Sequence, residues 1–204
     1  MSSAIPPALI FILGGACVPL FRGKVKSAFM LMLPLIAFYC MLSLPDGKSC
    51  IISFAGFDVV LARVDKLCLV FGYIFTLITF IGTIFALKVK DDLQHVSALI
   101  YAGGALGVTF AGDLFSLYIF WEIMAVASTF LILARRTKQS QKAAFRYIMV
   151  HILGGLLLLA GIILYIHEKG TIEFGYIGLD GLASWFIFLG IAVNAAIPPL
   201  HPWL

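Results

Sequence analysis

The sequence predicts an all-α protein: a polytopic bundle of transmembrane helices with six full spans and the start of a broken seventh. Three observations carry that expectation. Apolar residues make up 62% of the 204-residue chain and charged residues only 12%, about half the charge of a soluble domain. The mean hydropathy is +1.09. Several apolar runs approach or exceed the roughly 18 residues that suggest a membrane-spanning helix. Helix is the only conformation that fits these runs, because an open sheet edge cannot be satisfied in lipid and no alternating barrel pattern recurs.

The spans follow in order at 4–21, 28–44, 67–87, 95–112, 114–134, 147–166 and 184–204. The first, "MSSAIPPALIFILGGACVPLF", lacks a basic leading region; Arg22, Lys24 and Lys26 follow it instead, so it reads as a retained span and not as a cleaved signal. Between spans two and three, "PDGKSCIISFAGFDVVLARVDKL" holds a turn signal and short β-branched runs, which predicts a small exterior hairpin within 45–66. The link at Gly112–Asp113 is so short that spans four and five must be antiparallel neighbours. "GGALG" at 103–107 and "GG" at 154–155 supply small residues for close helix approach. Cys17, Cys40 and Cys68 lie in apolar runs, and with Cys50 they show no metal-ligand spacing. No internal repeat is visible.

Charge orients the bundle. The odd loops hold Arg22, Lys24, Lys26, Lys88, Lys90, Arg135, Arg136, Lys138, Lys142 and Arg146. The even loops hold only Lys48, Arg63, Lys66 and Lys169. The positive-inside rule places the odd loops in the cytoplasm and the N-terminus outside.

The polar residues inside the spans carry the chemistry. Glu122 lies near mid-depth in "GDLFSLYIFWEIMAVASTFLILA", where an ionised carboxylate costs roughly 2.5 kcal/mol or more. A structural acid bonded to a neighbouring helix would explain it; a proton or ion relay site is the favoured reading. His151 sits inside the sixth span and titrates in the physiological range, so packing and relay roles weigh equally. Tyr147 lies one turn earlier on the same face. In "SWFIFLGIAVNAAIPPLHPWL" Asn194 is polar in mid-helix, and Pro198 and Pro199 follow one turn later. Proline removes a backbone donor and clashes with the preceding turn, so this helix kinks or breaks there. His201 lies just past the break. A broken helix of this kind is tolerated where freed carbonyls face protein or a wet cavity; an ordinary kink near a helix end weighs equally on composition. No basic or polar anchor follows Trp203, an expectation of a truncated, split or incomplete chain.

These segments, "GDLFSLYIFWEIMAVAS", "AAFRYIMVHILGGLLLLAGIILY" and "AAIPPLHPWL", resemble the antiporter-like subunits shared by respiratory complex I, Mrp-type cation/proton antiporters and membrane-bound hydrogenases, with the D-type Mrp protein the nearest in character. The resemblance is specific from Asp91 to Leu204, while residues 1–90 fit only in helix number and topology. It implies a fourteen-helix fold with two inverted repeats of five helices, of which this chain carries the N-terminal part: three N-terminal helices with the exterior loop in 1–90, and the start of the proton-translocating region in 91–204. It also implies a glutamate in the fifth span paired with a lysine in the broken seventh. Glu122 falls on the glutamate. The lysine position, six residues before Leu200, is Asn194, so the positive partner that favours an ionised carboxylate is missing.

Together these features predict a subunit or N-terminal fragment of a proton-translocating complex in the bacterial plasma membrane, with Glu122, His151, Asn194 and His201 along the proton path. Its expected partners are other membrane subunits, membrane lipid, protons and Na⁺ or K⁺, with no nucleic acid. No haem, flavin, iron–sulfur or nucleotide motif appears, so no cofactor and no catalytic centre of its own are expected; redox chemistry of a quinone oxidoreductase kind would reside in partner subunits. The alternative is a structural or assembly subunit that conducts nothing, or a truncated gene remnant.

Overall fold

Helices dominate residues 5–198, which are the residues the computed structural model describes. In chain order they are α1 (Pro7–Cys17), α2 (Gly23–Leu42), α3 (Lys66–Ala86), α4 (Asp92–Phe110), α5 (Leu114–Leu133), α6 (Lys138–Lys169) and α7 (Leu182–Asn194), with strands β1 (Gly47–Phe54) and β2 (Phe57–Val64) between α2 and α3. Five of these, α2 to α6, are long and apolar enough to cross a membrane. The first expected span is α1 continued by a 3-10 turn at Val18–Leu20, and with α7 it is shorter than a full crossing. The protein is an integral membrane helix bundle.

The largest difference from the expected spans is α6. The sequence suggests a basic loop from Arg135 to Arg146, but the helix starts at Lys138 and runs for 32 residues, about 48 Å at 1.5 Å per residue. Thr137 caps it, accepting a 3.0 Å hydrogen bond from Ser140 N. Lys138, Lys142 and Arg146 therefore ride on the first turns of a helix that overshoots the roughly 30 Å hydrocarbon layer. Gly170 ends it in the left-handed conformation at φ 69°.

The hairpin forms where the β-branched runs suggest it. β1 and β2 pair antiparallel from Gly47↔Val64 to Phe54↔Phe57. The two-residue turn is Ala55–Gly56, both with positive φ, which matches the right-handed twist of the strands. Val59, Val60, Ala62 and Val64 are buried, and β2 lies on the ends of α4 and α5.

Glycines set the helix seams. A β-carbon on Gly103 would meet Ala8 O of α1 at 2.9 Å, and one on Gly104 would meet Phe120 O and Met124 N of α5 at 3.1 Å. Between α6 and α7 the approach is backbone to backbone: Gly161 faces Ile187 N, and Gly190 faces Leu158 N, each at 2.6 Å from the built β-carbon. With no hydrophobic drive between helices in lipid, such close packing supplies much of the association. One core gathers Phe11, Met30, Leu106 and Phe110 from α1, α2 and α4; a second joins Leu158, Ile162 and Ile187 of α6 and α7 with Leu114.

Candidate functional site: a carboxylate, an imidazole and an amide around one turn of α6

The site is built on one turn of α6, whose residues His151, Gly154 and Gly155 stand at i, i+3 and i+4 and so share a face. Glu122 is the ninth residue of α5, about 12 Å along the helix from its start. Its carboxyl group lies against Gly155. Oε1 is buried and has no hydrogen-bond partner among the described residues. On its other side Glu122 lines an apolar groove of about 450 Å³ between α4 and α5, with Val96, Ile100 and Val126.

Asn194, the last residue of α7, comes to the same turn from the opposite seam. Both amide atoms, Oδ1 and Nδ2, lie 3.0 Å from where a β-carbon on Gly154 would stand. The amide interacts with the buried His151 imidazole. Tyr147, one turn before His151, stacks on that ring with centroids 4.1 Å apart. The Tyr147 hydroxyl is 2.7 Å from Ser128 Oγ on α5. Polar groups thus run from Ser128 and Tyr147 through His151 to Asn194, with the Glu122 carboxylate one glycine away.

Of the residues singled out from sequence, the fold brings Glu122, His151 and Asn194 to this single turn. α7 stops at Asn194, and Ala196 (φ 53°) turns the chain ahead of Pro198. Pro199 and His201 lie outside the described residues. Among the described residues no group of three His, Cys, Asp or Glu side chains could hold a metal ion.

Three residues escaped the sequence reading. Ser128 carried no signal beyond being a hydroxyl on an apolar helix. Gly155 was visible only as half of a packing pair. Asp113 marked a boundary, although "DLFS" has the capping-box spacing that could have exposed its role. It is 0% exposed. Its Oδ1 accepts from Ser116 N at 2.7 Å, and its Oδ2 accepts from Val60 N of β2 at 2.6 Å.

The two ends of the bundle are tied by different chemistry. At the end carrying the odd connections, Lys26 pairs with Asp92, and Arg136 with Asp91 at 3.2 Å. At the other end the hairpin, the Gly112–Asp113 link and the α6–α7 connection meet: Gly112 N donates to Val60 O, Leu114 N donates to Ile172 O, and Lys48 pairs with Glu173.

Residues 111–204 match the family described as NADH:quinone oxidoreductase/Mrp antiporter, TM. The chain is 31% identical over 159 residues, 70% of its length, to the putative antiporter subunit mnhA2 of Staphylococcus saprophyticus. It is 26% identical over 165 residues, 72% of its length, to NADH-quinone oxidoreductase subunit M of Buchnera aphidicola. It spans 20% and 33% of those two relatives. Among solved structures, 97% of the chain superposes on 45% of a chain of the membrane-bound sulfane sulfur reductase, an archaeal respiratory membrane complex, with a TM-score of 0.80 at 20% identity. Respiratory complex I from Thermus thermophilus gives a TM-score of 0.78 at 23% identity over the same shares. The two structural likenesses show that the chain shares the fold of part of a chain in each of those membrane complexes.

Proposed function

We propose, for a chain whose residues 111–204 match the family described as NADH:quinone oxidoreductase/Mrp antiporter, TM, that it is a subunit or N-terminal portion of a proton-translocating, antiporter-like membrane complex with Glu122 as its intramembrane proton-path carboxylate. The observation that carries this reading is the buried Glu122 Oε1, held at mid-helix with no hydrogen-bond donor among the described residues. A purely structural acid in lipid would be expected to find one.

In this reading Glu122 takes up and releases the proton, and His151 passes it along α6. His151 stands about 6 Å along α6 from Gly155, against which the carboxyl group lies, and in this reading water carries the proton between the two groups. The Asn194 amide orients the imidazole, and Tyr147 with Ser128 continues the polar line toward the end where the odd connections lie. Pro198 keeps α7 from continuing beyond Asn194, and the proposed path takes in Pro199 and His201 from the sequence. α1 with its 3-10 turn and α7 with the residues beyond it complete six spans and begin a seventh, within the larger fourteen-helix arrangement. Residues 1–90 form the flanking part and 91–204 the proton-translocating part. The odd connections face the cytoplasm of a bacterial cell, and other membrane subunits complete the path for protons and a monovalent cation. Any redox chemistry resides in those partners.

One observation favours a second reading, a subunit that fills a place in such a complex without conducting. Asn194 stands where the resemblance implies a lysine, so this turn of α6 lacks a cation to draw charge onto Glu122. Exchange separates the two readings. In vesicles carrying the chain with its partner subunits, Glu122→Gln should abolish cation-driven proton movement, measured with a pH-sensitive dye. Unchanged exchange would sink the proton-path reading.

A further inference from the structure

We infer that Gly155 is the positioning residue for Glu122: its missing side chain leaves the recess that seats the carboxyl group between α5 and α6. This rests on the proton-path reading of Glu122 and adds what holds the group in place.

A β-carbon on Gly155 would lie 3.0 Å from Glu122 Cδ and 3.3 Å from Oε2, and closer than either to Oε1. Real β-carbons essentially never come nearer than 3.0 Å to another heavy atom. Any residue but glycine here therefore drives the carboxyl group out of its seat. What must yield is the far end of a flexible side chain, so the α5 and α6 backbones can keep their places.

The other glycines of α6 and α7 differ in kind. At Gly161 and Gly190 the added atom would strike backbone nitrogens of the facing helix at 2.6 Å, and the helices themselves would have to part. At Gly154 it would press on the Asn194 amide. Only at Gly155, among these four, does the added carbon address the carboxylate.

A second observation points the same way. Oε1 is buried with no hydrogen-bond partner among the described residues, so shape and not a hydrogen bond fixes that oxygen. An oxygen seated by packing has no protein donor to give up when a proton or a water arrives. The recess thus sets the distance between Glu122 and the imidazole one turn away without consuming the carboxylate's own chemistry.

The experiment reads position and transport separately. The full chain, in vesicles with its partner subunits, is assayed for cation/proton exchange across pH. The purified full chain is treated with an apolar carbodiimide, and the modification rate at Glu122 is followed by mass spectrometry. Gly155→Ala should slow exchange by on the order of tenfold or more, the scale expected for a group displaced by about 1 Å. It should also move the pH profile and change the modification rate at Glu122 severalfold. Adding Glu122→Asp, which retracts the carboxyl group by one methylene, should make the double variant faster than Gly155→Ala alone. Gly155→Ala with a wild-type modification rate and pH profile overturns the assignment. So does a Gly155→Ala variant that is merely less stable and is not rescued by Glu122→Asp. If Glu122→Gln leaves exchange intact, the proton-path reading fails, and the modification rate still decides the position of the carboxyl group.

Discussion

Asp113 and Glu122 stand nine residues apart at the start and middle of the same helix, and the fold treats the two carboxylates in opposite ways. Asp113 is completely enclosed, and each of its oxygens accepts a backbone N–H, one from Ser116 within α5 and one from Val60 of the hairpin. Glu122 is only partly enclosed, touches a glycine and an apolar groove, and leaves Oε1 without a partner among the described residues. Both are acids in an apolar protein, so burial alone does not separate structure from function. Satisfaction does. A carboxylate whose oxygens both accept backbone N–H groups is tied into the fold, while one with an unpartnered oxygen can gain or lose a partner without breaking a bond that holds the fold.

The comparison breaks first at Asp113. Asp113→Ala removes an N-cap, which costs about 1 kcal/mol. It also strands the Val60 N–H, at roughly 1–3 kcal/mol more. The expected result is a drop in thermal unfolding temperature in detergent, with proteolysis opening between β2 and α5. Glu122→Gln should leave that temperature close to wild type, because the amide is isosteric and replaces an oxygen that no donor among the described residues engages. If the two variants destabilised equally, the distinction between the acids would collapse.

Next in size is the seam that carries Asn194 to the site. Gly190 lies against Leu158 N and Gly154 O, 2.6 and 2.8 Å from its built β-carbon. Gly190→Ala must push α7 off α6, and small-to-large changes of this kind cost about 1–3 kcal/mol. Because the displacement separates Asn194 from His151, it should lower both the unfolding temperature and exchange. It should not change carbodiimide modification at Glu122, which sits on the other seam. A changed rate there would mean that the two seams act as one.

How much of this was readable from the sequence depends on whether the signal is local. Glu122 announced itself as a single charge in an apolar run, and Asn194 and His151 as polar residues in helices that offered few others. Their meeting on one turn of α6 was not readable, because it depends on how α5 and α7 flank that helix. The hairpin was legible from its β-branched runs, yet its turn, Ala55–Gly56, is not the "PDG" that carried the turn signal. The charges from Arg135 to Arg146 suggest a loop, but α6 begins among them at Lys138. Lys138, Gln141, Lys142 and Ala143 are good helix formers, and the Thr137–Ser140 cap allows the helix to begin outside the apolar layer. The full role of Asp113 is not legible locally, because its second partner, Val60, lies 53 residues away.

Asp65 offers the mildest and sharpest version of the comparison, because it repeats the Asp113 cap at the surface. It caps α3 as Asp113 caps α5, accepting from Cys68 N at 2.8 Å. That backbone N–H, helped by a side-chain bond to Cys68 and by Arg63, holds the Asp65 carboxyl below its ordinary value. A carboxyl lowered in the folded state stabilises the fold above its unfolded value, and that stability is lost as pH falls through the folded value. The unfolding temperature should therefore decline between about pH 4 and the lower folded value, and Asp65→Asn should flatten that part of the curve. The effect should stay below about 1 kcal/mol, since water competes freely at this cap. Asp113 makes the same kind of cap without water, and its removal should cost several times more. Equal losses at the two positions would show that enclosure by the hairpin adds nothing, and that the second acceptor bond to Val60 is incidental.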